Sequence, residues 1–256
     1  MSGQKDREKR REEREAAEAK AAGADRRTRL LQLSAGGVFL AIIVVVVVII
    51  VAGSSSSSGG DAGNVTEKTQ VDKLLGGIPQ NATVLGKAGA PVTLYEYGDL
   101  QCPICKEYSE EILPAIIEKQ VRNGEVKIVY RDFIIISEES IPAGEAALAA
   151  GEQGKGWSFI ELFYRNQGEE RSGYVTDEFI ESIAEAAGVP DMKRFNEERK
   201  SGKFKKKVEA TTEQAEKFGF TGTPSFAVQG PHSDGIELLN TPGSTEAIVE
   251  RIEKAA

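Results

Sequence analysis

The sequence predicts an α/β domain preceded by a single membrane-spanning helix. The domain is indicated by the order of patterns along the chain, which is strand, helix, strand, a block of helices, two strands and a helix. The first three elements form a βαβ unit, so their two strands should be parallel with a right-handed crossover. The spanning helix is indicated by an almost wholly apolar run from Leu30 to Ala52, whose length matches the thickness of a bilayer core.

The charges around the apolar run predict its orientation. Residues 1–29 carry ten Lys/Arg against seven Asp/Glu, and a basic excess before a spanning helix keeps that end in the cytoplasm. We therefore expect a cytoplasmic charged tail (1–29), a signal-anchor helix (30–52), a flexible Ser/Gly linker (53–65) and an extracytoplasmic domain (66–256). The protein would then be a single-pass protein of the cell membrane.

Two other interpretations of the apolar run are weaker. Valines 44–48 favour a buried strand, but an ordinary strand does not lie between a charged tail and a Ser/Gly tract. A cleaved signal peptide would be cut near Val51–Ser54, but the tail before the run is long for a signal peptide. We expect an uncleaved anchor.

The charge balance argues against a nucleic-acid partner. Residues 30–256 hold 22 Lys/Arg against 33 Asp/Glu, and the whole chain has a formal net charge of −8. A domain with this excess of negative charge repels phosphates. The 256 residues are 40% hydrophobic and 28% charged, which is enough apolar material for a sizeable core.

The βαβ unit opens the domain. After a short helix or loop (Lys73–Gly77), the apolar stretch Val92–Tyr97 is expected to be a buried strand. Apolar residues then recur on one helical face from Cys102 to Lys119, and Pro103 lies just inside the helix start, where a missing N–H costs nothing. The alternating stretch Glu125–Phe133 is expected to be the second strand.

The rest of the domain is helical before it returns to strands. The predicted helices are Ala143–Gly151, Gly156–Asn166, Thr176–Ala187, Asp191–Ser201 and Phe204–Phe218. They are followed by strands at Ser225–Gln229 and Gly235–Leu239 and a terminal amphipathic helix at Ser244–Lys254. The aromatic residues expected to pack the helical block are Trp157, Phe159, Phe163 and Tyr164.

The chain has only two cysteines, Cys102 and Cys105. They could form a redox pair, half of a metal site or a structural clip. A zinc site needs three or four ligands, and beyond the pair the chain offers only His232, in a turn-like stretch, and acids. We expect no metal. A clip that closes four residues stabilises by about 2 kcal/mol, which is little for a domain with a good core.

The position of the cysteine pair favours redox chemistry. The pair lies across the first turn of a helix that directly follows a buried strand. At the helix N-terminus, exposed N–H groups and the macrodipole should lower the pKa of Cys102, whereas Cys105 lies one turn inside. We expect an exposed attacking sulfur and a buried resolving sulfur, as thiol–disulfide exchange requires.

A second motif precedes the strand at Ser225. Gly222-Thr223-Pro224-Ser225-Phe226 places a proline where a ladder donor would otherwise be expected. A cis Thr223–Pro224 bond would make a tight turn there and leave the backbone of Thr223 free to accept a partner chain.

These residues resemble the DsbA-like thiol:disulfide oxidoreductases of bacteria over roughly residues 75–256. The matching stretches are Tyr95–Cys105, Tyr130–Phe133, Gly222–Phe226, Gly77–Gln80 and Ala90–Leu94. The resemblance implies a thioredoxin-like fold with a helical insertion at about 137–210 and a cis Pro224. It also implies that Cys102 is the nucleophile, Cys105 the resolving thiol and Thr223–Pro224 the peptide-binding loop.

The resemblance implies a role for Glu96, six residues before the first cysteine. Many members carry a buried acid there that relays a proton to or from the resolving thiol, which needs a raised pKa. The alternative is an acid at a strand edge that faces water.

Ile104 departs from the strongest oxidants of the family, which carry a histidine between the cysteines. Isoleucine offers neither a charge nor a donor, so we expect Cys102 to be less acidic, and the disulfide less oxidising, than in Pro-His enzymes. With Pro103 and Pro224, Ile104 would instead broaden an apolar substrate surface.

The sequence thus predicts a membrane-tethered enzyme that oxidises thiols of exported proteins through Cys102 and Cys105. It would need no cofactor beyond that disulfide, which a membrane partner of the DsbB or vitamin K epoxide reductase-like type would reoxidise. The alternatives are a disulfide reductase or isomerase, and a peptide-binding chaperone without redox turnover.

Overall fold

The structure, a computed structural model, describes residues 65–239 and 244–256. Six strands of this part of the chain form one mixed sheet in the order β1-β2-β4-β3-β5-β6. The strands are β1 (Gln80–Asn81), β2 (Val84–Leu85), β3 (Val92–Gly98), β4 (Val126–Asp132), β5 (Ser225–Gln229) and β6 (Glu237–Leu239). β3 and β4 are parallel and the other neighbours are antiparallel, so the predicted parallel pair is confirmed.

Helices cover the sheet. They are α1 (Lys68–Leu75), α2 (Pro103 to Val121), α3 (Ser140–Gly151), α4 (Gly156–Arg165), α5 (Asp177–Ala187), α6 (Met192–Lys200), α7 (Lys205–Lys217) and α8 (Thr245–Ala255). Helix α2 is irregular: two π-helical turns, Tyr108–Ile112 and Ile117–Val121, flank the segment that contains Pro114. Pro114 has no N–H to donate to the carbonyl of Glu110, and the first π turn lies across this gap in the hydrogen-bond ladder.

The predicted block of helices is confirmed, with each end within about three residues of the sequence prediction. Helix α5 shows why the helix boundaries could be predicted from the sequence. The Thr176 hydroxyl accepts the N–H of Phe179 at 3.2 Å as the N-cap, and Gly188 ends the helix with φ 76°. Both are residue types that these positions favour.

The start of the domain differs from the prediction. The short helix or loop expected at Lys73–Gly77 is a helix that begins earlier, at Lys68, and two short strands follow it. Two residues are too few to show a period of two, so the sequence pattern gave no signal. These strands exist because β2 pairs with β4, placing Val84 opposite Val129.

The main core lies between one face of the sheet and the helical block. The four aromatic side chains predicted to pack this block are all at most 1% exposed. They also hold the block to the sheet, since Trp157 Nε1 donates to the Thr83 carbonyl at 2.8 Å. Truncating such a buried aromatic residue costs about 3–5 kcal/mol.

The predicted tail (1–29) and signal anchor (30–52), and all but the last residue of the linker (53–65), lie outside the described residues. Within the part that is described, no helix is both long and apolar enough to cross a bilayer.

Candidate active site

Cys102 caps the N-terminus of α2. It follows the loop after β3, and its backbone is extended, with φ −75° and ψ 120°. Its Sγ accepts the backbone N–H of Cys105 at 3.4 Å. Pro103 occupies the first helical position, where its fixed φ suits the helix and no N–H is lost. The predicted position of the pair at the helix start is therefore confirmed.

The predicted exposure of Cys102 is wrong. The residue is 4% exposed and Cys105 is 0% exposed, so the two free thiols scarcely differ in accessible area. The reason is the loop before β5: the Cys102 thiol donates to the carbonyl of Thr223 at 3.4 Å, so this loop covers the sulfur.

The two thiols differ strongly in acidity. A hydrogen bond from the Cys105 side chain lowers the pKa of Cys102 to about 6. Burial opposes this, and the Thr223 side chain and the N–H groups of Cys105 and Ile104 reinforce it. Burial raises the pKa of Cys105 well above its usual value, with further contributions from its hydrogen bond to Cys102 and from the Cys102 charge. Cys102 is therefore the more acidic thiol, which gives up its hydrogen bond to the Thr223 carbonyl when it ionises, whereas Cys105 keeps its proton.

The Thr223–Pro224 peptide bond is cis, as predicted. Pairing of β5 with β3, which sets Ser225 opposite Tyr97, brings this loop to the end of β3 and so to Cys102. Both Thr223 and Pro224 are buried, and the Thr223 carbonyl is already in contact with a thiol.

The exposed side of the site is apolar. Pro103 is exposed and Ile104 is 45% exposed. Ile135, in the segment after β4, is 40% exposed and was not among the sequence-predicted residues. Pro224 does not share this exposure, so the predicted apolar surface is formed by Pro103 and Ile104 without an exposed Pro224.

Glu96 lies in the middle of β3, between β4 and β5, and is 1% exposed. Neither of its carboxyl oxygens has a hydrogen-bond partner among the described residues. Burial raises its pKa to about 8, with a smaller contribution from the charge of Glu161. The alternative of a water-facing acid at a strand edge is therefore wrong, because β3 is a central strand.

Two tyrosines stand beside Glu96 and were missed by the sequence interpretation. Tyr130 is directly opposite Glu96 on β4, and its hydroxyl is 3.2 Å from that of Tyr164 on α4. Tyr164 also donates to the Asp99 carbonyl at 3.4 Å. Burial raises the pKa of both tyrosines, so both hydroxyls stay protonated and can donate. Tyr130 belongs to the stretch Tyr130–Phe133 that carries the family resemblance, so the sequence did offer a signal for it. Tyr164 was predicted only to pack the helical block.

Two glutamines fix the loop that carries Cys102. Gln167 Nε2, just after α4, donates to the carbonyls of Leu100 at 2.7 Å and Cys102 at 3.2 Å. Gln101 is 0% exposed, and its amide nitrogen donates to the hydroxyls of Ser137 and Ser140 at 2.8 and 3.0 Å. The helical block therefore holds the cysteine loop in place.

A second buried acid lies at the end of β4. Asp132 is 4% exposed and its Oδ1 has no partner among the described residues. Burial raises its pKa to about 7, with a further contribution from Asp99. Asp99 itself is an acceptor for the loop backbone, bonding the N–H groups of Gln101, Ile135 and Ile136 at 2.9 Å each.

His232 is exposed in the turn after β5 and lies apart from these groups. Among residues 65–239 and 244–256, no cluster of three or more His, Cys, Asp or Glu side chains is arranged to hold a metal ion.

The site therefore combines a stabilised thiolate, a resolving thiol that holds its proton and a buried carboxyl that is mostly neutral at pH 7. These are the groups that thiol–disulfide exchange uses, because the attacked sulfur must be a good leaving group and the other must gain and lose a proton.

Comparison with known proteins agrees with this chemistry. The Thioredoxin family model matches residues 80–251. A relative, the probable disulfide bond formation protein D of Bacillus cereus, is 31% identical over 149 residues, which are 57% of this chain and 69% of the relative.

Solved structures show the same fold. Oxidised BdbD from Bacillus subtilis superposes with a TM-score of 0.61 at 25% identity, covering 70% of this chain and 96% of BdbD. Wolbachia pipientis alpha-DsbA1 superposes with a TM-score of 0.58 over 71% of this chain and 92% of its own, and at 20% identity it supports the fold alone. The chain belongs to the thioredoxin family and is a DsbA-like protein disulfide oxidoreductase.

Proposed function

We propose that this chain is a dithiol oxidase that forms disulfides in exported proteins through Cys102 and Cys105. The observation that carries the proposal is the cap at the start of α2, where Cys102 Sγ accepts the N–H of Cys105 and has a pKa lowered to about 6. A stabilised thiolate favours the reduced enzyme, so the disulfide form becomes a stronger oxidant.

In the proposed reaction a substrate dithiol transfers two electrons to the enzyme disulfide. A substrate thiolate attacks Cys102 Sγ of the enzyme disulfide, the S–S bond breaks, and its electron pair leaves on Cys105, which takes a proton from Glu96. A second substrate thiol loses its proton and attacks the substrate sulfur of the mixed disulfide, releasing Cys102 as a thiolate. Two electrons pass to the enzyme. Of the two protons that the substrate loses, one returns to Glu96 and the other goes to solvent.

The substrate would meet the site at its exposed apolar side. Pro103 and Ile104 are accessible there. In the disulfide form Cys102 has no S–H to donate, so the Thr223 carbonyl can accept a hydrogen bond from the substrate instead of from the thiol. An incoming chain would then lie along Thr223 and Pro224. Exposed apolar area gives affinity without sequence specificity, which suits an enzyme for many exported substrates.

The finer parts of the proposal are location and regeneration. The apolar run 30–52 and the basic excess before it support an anchor that places the domain outside the membrane. The reduced enzyme would be reoxidised by a membrane partner of the DsbB or vitamin K epoxide reductase-like type. The name of the Bacillus cereus relative, a disulfide bond formation protein, supports the oxidative direction.

The reduction potential tests the proposal. We expect a value between about −270 mV, as in thioredoxin, and about −120 mV, as in the strongest oxidant of this type. In cells, trapping with an alkylating reagent should show mostly the disulfide form. A mostly dithiol form would instead identify a reductase, and full biological function of Cys102→Ser would identify a binding protein without redox turnover.

A further inference from the structure

The helical block carries a further buried acid, on the side of the sheet to which Glu96 points. Glu161 on α4 is 0% exposed, and its Oε1 has no partner among the described residues. Tyr164, three residues later on the same helical face, donates to the Asp99 carbonyl at the end of β3. Its hydroxyl lies so close to Gly98 that a Cβ there would be 2.8 Å away. The Tyr164 side chain therefore reaches the end of β3, on the side of that strand to which Glu96 also points.

The charge of Glu161 is held in place by its neighbours. Arg165 Nη1 contacts Glu161 Oε2 at 2.5 Å, and the Ser109 hydroxyl donates to the same oxygen at 3.1 Å. The Arg165 side chain is 6% exposed and also contacts Glu67 Oε2 at 3.5 Å. Burial raises the pKa of Glu161, and Arg165 and Ser109 limit this rise. A fixed guanidinium and a hydroxyl donor both favour a carboxylate at neutral pH.

Glu96 has the opposite surroundings. The groups around it are the Cys105 thiol, the hydroxyls of Tyr130 and Tyr164, and the Glu161 carboxylate, and none of these carries a positive charge at neutral pH. Two buried carboxyls without a cation between them do not both ionise readily. The carboxyl with a guanidinium partner takes the charge, and the other keeps the proton.

We propose that Glu161 is a positioning residue whose buried negative charge keeps a proton on Glu96 for delivery to Cys105. The idea rests on the proposed redox function and adds a residue from the helical insertion to it. It also gives the ion pair of Glu161 with Arg165 a use, because a neutral residue at position 161 would leave Glu96 easier to ionise. The proton that Glu96 gives up returns from a substrate thiol.

The test is a titration of Glu96 in the oxidised full-length protein, where no thiol titrates. Infrared difference spectra follow the C=O band of the protonated carboxyl, and Glu96→Gln assigns the band by removing it. We expect Glu161→Gln to lower the midpoint of this band by about one pH unit. Glu161→Asp keeps the charge and should restore most of the original midpoint.

Two further variants complete the test. Glu161→Gln leaves Arg165 unpaired, and that positive charge would itself lower the pKa of Glu96. The double variant Glu161→Gln/Arg165→Gln removes both charges, so a downward shift that is smaller than in the single variant should still appear in it. Glu110→Gln is the matched control, since it removes a partly exposed carboxylate of α2 that faces Lys106; we expect no shift. An unchanged midpoint in the two Glu161→Gln variants, or an equal shift in Glu110→Gln, would overturn the proposal.

Failure of the proposed function would look different. An unaltered chain that does not oxidise dithiols refutes the oxidase but leaves the titration of Glu96 unaffected. Conversely, if the chain is an active oxidase but the midpoint of the Glu96 titration does not change when Glu161 is replaced, only the positioning role is refuted.

Discussion

The two sides of helix α2 at the cysteine pair have opposite character. On the outer side Pro103 and Ile104 are exposed and apolar, and no ionisable group stands between the cysteines. On the inner side Cys105 and Glu96 are buried together with Tyr130, and nearly every polar group there is neutral at pH 7. Cys102 lies at the boundary between these sides.

The difference separates two properties of the enzyme. The outer side and the helix cap determine how stable the Cys102 thiolate is, and hence how oxidising the disulfide is. The inner side determines how fast Cys105 gains or loses its proton. Changes on the outer side should therefore move the reduction potential, and changes on the inner side should move rates and their pH dependence.

The largest effect on the rate of dithiol oxidation is expected at Cys102, which lies at the boundary between the two sides. Cys102→Ser removes the sulfur that substrates attack, so the rate of dithiol oxidation should fall at least about 10³-fold, to the uncatalysed background. Cys105→Ser leaves the attacking sulfur but removes the resolving one, so mixed disulfides with substrate should accumulate and be visible by mass spectrometry. Turnover by Cys102→Ser would contradict the assignment.

On the inner side, Glu96→Gln keeps the shape of the side chain but removes its titratable proton. We expect the step in which Cys105 leaves or attacks to slow by about 10²-fold, while the reduction potential changes little. Stopped-flow kinetics with a dithiol peptide across pH 6 to 9 would measure this. Glu111→Gln changes an exposed acid of α2, the helix that carries Cys105; it is the control and should behave as the unaltered chain.

On the outer side, Ile104→His should add a donor and a charge beside the Cys102 thiolate. We expect the Cys102 pKa to fall from about 6 toward the value of about 3.5 seen in the strongest oxidants. The potential should rise by about 30 mV for each tenfold gain in the equilibrium constant. Thiolate absorbance measures the pKa; Ile104→Leu should change neither quantity. A value near 3.5 in the unaltered chain would contradict the role given to Ile104.

The smallest effect concerns stability. Glu96 and Asp132 have folded-state pKa values of about 8 and 7, above their ordinary 4.5 and 3.8. The folded protein thus holds more protons than the unfolded one, and stability is lost as pH rises through these values. In the oxidised protein the free energy of unfolding should fall by about 2–3 kcal/mol per pH unit near pH 6, where both carboxyls contribute, and by about 1 kcal/mol per pH unit near pH 8. Denaturant titrations would show this slope, and Glu96→Gln should flatten its upper part.

The sequence predicted those parts of the molecule whose structure depends on neighbouring residues in the chain. The parallel pair β3 and β4 and the five helices of the block have clear periods and caps, such as Thr176 before α5. Cys102 and Cys105 could be placed at a helix start because Pro103 marks the first turn. The cis bond before Pro224 was reached through resemblance to a family, since a proline alone does not specify it.

The parts that sequence did not predict depend on packing between distant segments. Cys102 is covered because the Thr223 carbonyl, 121 positions away, meets its sulfur. Gln167 and Tyr164 reach the cysteine loop from α4 and its end, about 65 positions away. Nothing near these residues in the chain distinguishes them from ordinary surface or core positions. Only the folded arrangement shows what they contact.

The burial of Trp157 has a practical consequence, because it is the only tryptophan in the chain. Its ring is 0% exposed, and its indole N–H is bonded to the Thr83 carbonyl beside the sheet. Its emission should be blue-shifted in the folded protein and shift to longer wavelength when α4 leaves the sheet. A single intrinsic fluorophore thus reports on the docking of the helical block, without a label and in every variant described above.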